Sequence, residues 1–179
     1  SFAYALNDAA VVVGYSTVLS GYPNQPVFWT NSGAGWGPAT RLALLSGAIG
    51  GVARDINSAG QIVGQNVVSL LGCNTRAVVW SNGSAAAAQL PGLSPASCSE
   101  ALAINDHGQI AGFSSDRRGL HAVLWQPSTA GYSITDLGQV RGTGSPIVYG
   151  MNEPLADGSR LELVGVIQST ERATLWTLP

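Results

Sequence analysis

The residues of this 179-residue chain best suited to proton transfer are two histidines, His107 and His121, each with a carboxylate close by in Asp106 and Asp116. A serine nucleophile would need one of those histidines within hydrogen-bond reach and a sharp turn presenting its hydroxyl. No G-x-S-x-G turn occurs and the two histidines fall in different loop classes, so nucleophilic catalysis has little support. Paired carboxylates for glycosidic cleavage depend on a separation that spacing along the chain does not reveal. Oxygen-rich turns occur at Asp8, Asn105 and Asp106, and three acids, Glu153, Asp157 and Glu162, fall within EPLADGSRLE. Both places lack the alternating acidic ligands and distal glutamate of a calcium loop, so they read as Asx turns and a solvated hairpin. Two cysteines with no histidine nearby make a poor zinc centre. The sequence therefore assigns no metal, no cofactor and no catalytic residue.

Charge narrows the classes further. The eight basic residues are all arginine and scattered, against ten acids, so no basic stripe exists to neutralise a phosphate backbone, and nucleic acid is not an expected partner. The absence of lysine removes Schiff-base chemistry. Apolar residues make up 45% of the chain, enough for a real core, while charged residues are only 10% and glycines number 23. That balance favours sheets with tight turns. The longest apolar runs are strand-sized, so no membrane span is expected. The sequence starts at Ser1 without a signal-like region, and it reads as a processed secreted product or a piece of a longer chain.

The elements that must position any site are written four times. Asn7, Asn57, Asn105 and Asn152 recur at intervals of 50, 48 and 47 residues, each after Leu, Ile, Ile or Met. Such a period signals a propeller, solenoid or array. An apolar run ending in Gly14, Gly64, Gly112 or Gly165 follows each asparagine, with PLADGSR inserted in the fourth repeat. Next come PVFW, AVVW, AVLW and ATLW, ending at Trp29, Trp80, Trp125 and Trp176. The first three repeats add a fourth apolar segment, RLALL, AAAQL or SITDL.

Four strand-length runs per repeat, bounded by Gly, Asn, Ser or Pro, predict a four-stranded antiparallel meander. The asparagine is then most simply the turn residue of the first hairpin. Several strands are apolar on both faces, so each sheet needs neighbours on both sides, and blades stacked around an axis supply them. On this reading the recurring glycine marks a close approach between adjacent blades. The recurring tryptophan offers its body to the next blade, with an indole N–H that needs a partner. One domain, 1–179, is expected, with repeats of about 45–50 residues at approximately 1–51, 52–99, 100–147 and 148–179.

The phrase is most complete in ALAINDHGQIAGFSS, LHAVLW and ITDLG, and it resembles the bacterial extracellular repeats named HAF along essentially the whole chain. His121 alone supplies that family's histidine; Gln25, Arg76 and Arg172 stand in the other repeats, and Pro26 replaces the following alanine in the first. The resemblance implies secretion or cell-surface exposure and a repeat-built β fold, and carries no catalytic residues.

The fourth repeat stops after its third strand, which leaves an open outer edge that invites self-association. Cys73 and Cys98 fall in loops expected on one face of adjacent blades, and for an exported protein they are expected to form a disulfide stapling those loops. The loops between second and third strands, STVLSGYPNQ and NVVSLLGCNT, are long and apolar, the third repeat contributes SDRRGL, and the loop after the third strand of the first repeat carries Trp36. Tyr15, Tyr22, Trp36, Arg117, Arg118 and His121 are the candidate binding residues, with a protein or carbohydrate as ligand. The expectation is an all-β, propeller-like, extracellular, non-catalytic scaffold or recognition module. The rivals are a self-assembling surface structure and a lyase or hydrolase with an axial site. The last requires polar side chains converging on the axis, and inner-strand positions dominated by Ala, Leu, Ile and Gly count against it.

Overall fold

Alternating apolar strands broken by Asx and glycine turns produce an all-β chain of fifteen strands with no helix among the described residues. The computed structural model describes residues 1–18, 21–95, 97–138, 146–154, 160–167 and 172–178, and their side chains save those of 18, 21 and 22. The first sheet holds β1 (Phe2–Leu6), β2 (Val11–Val18), β3 (Gly21–Thr30) and β4 (Thr40–Arg41). The second holds β5 (Gly50–Ile56), β6 (Ile62–Val67), β7 (Thr75–Trp80) and β8 (Ala88–Gln89). The third holds β9 (Ser99–Ile104), β10 (Ile110–Asp116), β11 (Gly119–Ser128) and β12 (Gly131–Asp136). The fourth has three described strands, β13 (Pro146–Met151), β14 (Leu161–Ile167) and β15 (Arg172–Leu178). Every sheet is an antiparallel meander in chain order, the blade arrangement expected from the repeats.

Each of the three core clusters lies between two successive sheets. Val13 meets Ile56, Ile62 and Trp80 between the first pair; Val63 and Val79 meet Ile110 and Trp125 between the second; Ala111 and Leu124 meet Leu163 between the third. The strand period of two explains this: one set of side chains on each strand faces the sheet before and the alternate set the sheet after. The tryptophans thus pack on the preceding sheet, not on the next as the sequence suggested. The Trp80 indole N–H donates to the Ala43 carbonyl at 2.6 Å and that of Trp125 to the Pro91 carbonyl at 2.7 Å, both in the loop leaving the sheet before. A buried indole needs such an acceptor, and the peptide that leads out of the preceding blade provides it.

The recurring asparagine closes its own hairpin and also ties blade to blade. In the second repeat the Asn57 side-chain oxygen accepts from the Gln61 N–H at 2.9 Å, while its amide donates to the Asn105 carbonyl at 3.1 Å. Asn7 donates likewise to the Asn57 carbonyl at 3.1 Å and Asn105 to the Asn152 carbonyl at 3.4 Å. Asn152 instead donates to the Arg160 carbonyl of its own repeat at 3.0 Å. The ladder therefore runs from first sheet to fourth without returning. The outward faces of those two sheets remain exposed, so ring closure is not a feature of the described chain.

The first strand of every sheet carries a β-bulge, seen as a register shift at Ala3/Ala5, Ala53/Asp55, Ala111/Gly112 (opposite Ala103 and Ala101) and Val148/Gly150. The bulged residues are Tyr4, Arg54, Leu102 and Tyr149, at one position of the repeat. The recurring glycine is explained by the bulge. A Cβ at Gly14, Gly64, Gly112 or Gly165 would run into the carbonyl oxygen of Phe2, Val52, Glu100 or Ile147, all in the first strand of the same sheet. The close approach predicted there is real, but it lies within a blade and not between blades.

Candidate functional site

An inserted residue re-aims its side chain, and the four bulges aim theirs at one place. Tyr4, Arg54, Leu102 and Tyr149 line a single cavity of about 450 Å³ together with Glu100, Phe113 and Ile147. Every sheet contributes its first strand, which sets these strands around a common axis. The cavity lies along the middle of these first strands, clear of the asparagine turns.

Polar chemistry is concentrated on one wall. The Arg54 Nε donates to Glu100 Oε1 at 2.6 Å, joining the second sheet to the third, and the guanidinium lies 4.8 Å from the centre of the Tyr4 ring. Glu100 is buried, and loss of water raises its carboxyl above the usual range while Arg54 pulls it back. Tyr15 stands behind Tyr4, with ring centroids 5.9 Å apart, and stacks on Phe2 at 5.0 Å. Its hydroxyl is raised by desolvation and by Tyr4, with Arg54 acting against them. Opposite, Tyr149 and the apolar Leu102, Phe113 and Ile147 complete the lining. The argument against polar convergence on the axis thus fails: Tyr4, Arg54, Glu100 and Tyr149 all reach it.

Of the residues singled out in the sequence, Tyr15 reaches this cavity only through Tyr4, behind which it packs. Trp36 is exposed and lies with Trp29 and Val12 over the outer face of the first sheet. Arg117 and Arg118 sit in the exposed turn between β10 and β11. The Tyr22 side chain and Asp157 lie outside the described residues. His121 is buried, so it presents no surface to a ligand. Its Nδ1 lies 3.0 Å from Asp136 and its Nε2 3.0 Å from Asp116, a strut from the β10–β11 turn to β12. Its counterparts in the first two repeats are Gln25 and Arg76; where the histidine is replaced, so is the aspartate, by Arg41 and Gln89 at the matching register.

Near the asparagine turns, three of the side chains that suggested a cation, Asn105, Asp106 and Glu153, accept from backbone N–H groups. Asp106 accepts from the Ser58 N–H at 2.8 Å, Glu153 from the Asp106 N–H at 2.6 Å, and Asn105 from the Gln109 N–H at 2.9 Å. His107 is 3.2 Å from Glu153. Among the described residues, no group of three or more His, Cys, Asp or Glu is placed to hold a metal ion.

Cys73 and Cys98 form a disulfide with Cα atoms 5.2 Å apart, joining the β6–β7 loop to the segment entering β9. The Cys98 N–H donates to Ser115 Oγ at 2.8 Å, and Arg76 to the Ser97 carbonyl at 3.0 Å, so the staple is held from both sides. It lies at the same end of the strands as Glu100. Among the described residues, no helix is long and apolar enough to cross a membrane.

No family model, curated protein or solved structure matches this chain.

The sequence reading overlooked Tyr4, Arg54, Glu100 and Tyr149. A signal was present. Across the repeats, the position before the asparagine is always Leu, Ile or Met and the position four before it is Ala or Val, whereas the position three before it holds Tyr, Arg, Leu and Tyr. Side chains as unlike as Tyr, Arg and Leu cannot fill one recurring packing site, so that position faces an opening.

Proposed function

We propose that the chain is a non-catalytic recognition module of an exported protein, and that it binds a neutral carbohydrate in the axial cavity. The observation that carries this reading is the meeting of two exposed tyrosines, Tyr4 and Tyr149, with an internally neutralised Arg54–Glu100 pair in one cavity of about 450 Å³. That volume falls in the range of small-ligand sites, mostly apolar with few polar groups. Aromatic rings offer flat apolar faces with a polar tip, and the ion pair offers both donors and acceptors to hydroxyls. Because Glu100 balances Arg54, no net charge selects an ionic ligand.

Binding is favoured over cleavage because Glu100 is the one carboxylate among the described lining residues and is held by Arg54, whereas glycosidic cleavage uses two carboxyl groups. Export is supported by the disulfide, since such bonds persist in oxidising compartments. The resemblance to HAF repeats points the same way.

Titration calorimetry against a panel of neutral mono- and disaccharides tests the proposal. Binding should weaken at least tenfold in Tyr149→Ala and in Tyr4→Ala, about 1.4 kcal/mol each, with melting temperatures unchanged. A panel without binders, or binding indifferent to both substitutions, refutes it.

A further inference from the structure

The three interfaces between successive sheets are versions of one interface, and the molecule exposes each half of a fourth. Leu6 on the outer face of the first sheet is 61% exposed, whereas its counterparts Ile56 and Ile104 are 6% and 7% exposed. On the outer face of the fourth sheet Leu175 is 57% exposed, against 7% and 2% for its counterparts Val79 and Leu124. Val164 beside it is 53% exposed, while Val13 and Val63 at the same position are fully buried.

Trp29 shows what the first face lacks. Trp80 and Trp125 are fully buried and donate to a carbonyl of the sheet before them. Trp29, at the matching register opposite Val12, is only half-buried, and its indole has no acceptor among the described residues. The first sheet thus presents the half that elsewhere receives a preceding sheet, and the fourth presents the half that elsewhere receives a following one.

We infer that these two faces are complementary, and that the fourth sheet of one copy of this chain docks on the first sheet of a second copy, head to tail. The partner is specified by the molecule itself: an apolar face whose register and tryptophan position already recur at three internal junctions is matched by the face that fills those junctions. Such pairing is heterologous, each copy using a different surface. It involves the sheet faces and is therefore distinct from pairing along the open β15 edge. It does not depend on the carbohydrate site.

The test is the solution mass by light scattering over a concentration series, with two single-face variants at exposed positions, Leu6→Glu and Leu175→Glu. The wild type should run above the mass of one 18.3 kDa chain, and each variant alone should be monomeric with an unchanged circular dichroism spectrum. An equimolar mixture of the two retains one intact face of each kind and should form a dimer and nothing larger. A wild type that stays monomeric to its solubility limit overturns the inference and points to a covalently continuous repeat as the occupant. Either variant assembling like the wild type, or a mixture that remains monomeric, also overturns it.

Discussion

Replacing Gly112 with alanine tests the link between bulge, glycine and axial cavity. In β10 the added Cβ would strike the Glu100 carbonyl oxygen, with Ala101 Cα and the Glu100 carbonyl carbon each at 3.1 Å. The obstacle is backbone, so no side-chain rotation relieves it. The strand β9 is also held from both sides, by Val63 and Val79 of the second sheet through Ala101 and Ile104, and by β13. Overpacking by one methyl group costs about 1–3 kcal/mol, and a pinned backbone places this case at the upper end. Alanine recovers roughly 0.5–1 kcal/mol by restricting the unfolded chain. The net loss is about 2–2.5 kcal/mol, which for a chain of this length lowers the melting temperature by about 5–10 °C. Gly14→Ala meets the same kind of obstacle in the Phe2 carbonyl, but β1 is uncovered on its outer side and can retreat, so about half the effect is expected. Gly37→Ala is the control: its nearest heavy atom, the Thr30 carbonyl oxygen, is at an ordinary 3.6 Å. Calorimetric melts of the three variants decide the matter. If Gly112→Ala melts within about 1 °C of the wild type, or costs less than Gly14→Ala, the bulge does not require the glycine.

Removing the Asn57 side chain takes from the buried Asn105 carbonyl one of its two donors, the Gly108 N–H remaining, and leaves the Gln61 N–H without its acceptor. Asn57→Ala should therefore cost about 2–3 kcal/mol in urea unfolding, and a loss below about 0.5 kcal/mol would contradict the role given to the ladder. Reducing the Cys73–Cys98 bond, which spans 25 residues, should remove about 3.5 kcal/mol on the chain-entropy estimate; melts with and without reductant measure it, and no shift would refute the staple. The Asp116 carboxyl is held below its ordinary value first by the Arg118 N–H and further by His121. A depressed folded-state pKa stabilises above the unfolded value and loses that contribution as pH falls through the folded one. The deficit of Asp116→Asn relative to wild type should thus be full near about pH 6 and shrink below about pH 4; a deficit independent of pH would exclude the charge.

The repeat unit was readable because its signals are local. Asn105, Gly108 and the apolar QIAG run specify a hairpin by turn chemistry and alternation, and Gly108 adopts the positive φ, 73°, that such a turn needs. Ala10 takes the same place in the first repeat at φ 55°, so the turn survives without its preferred residue. Cys73 and Cys98 were placed in facing loops from strand order alone. The direction of the tryptophans was misread because an apolar side chain at a strand end states that it must be buried, not which neighbour buries it. His121 looked like a loop contact because Asp136, fifteen residues on, is brought beside it only by the pairing of β11 with β12.

The axial cavity marks the boundary between the two kinds of information. Period, strand count and the need for stacking follow from hydrophobic alternation and turn residues, which act over a few positions and are legible in the order of amino acids alone. Which side chains reach the axis depends on one extra residue in the first strand of each sheet. That bulge reverses the face of every residue beyond it, so Ala101 and Ile104, three apart, face the same neighbouring sheet, a spacing that does not say where Leu102 between them points. Tyr4, Arg54, Leu102 and Tyr149 became neighbours through that register shift and through three repetitions of the same sheet-to-sheet packing, and only the assembled fold brings them together.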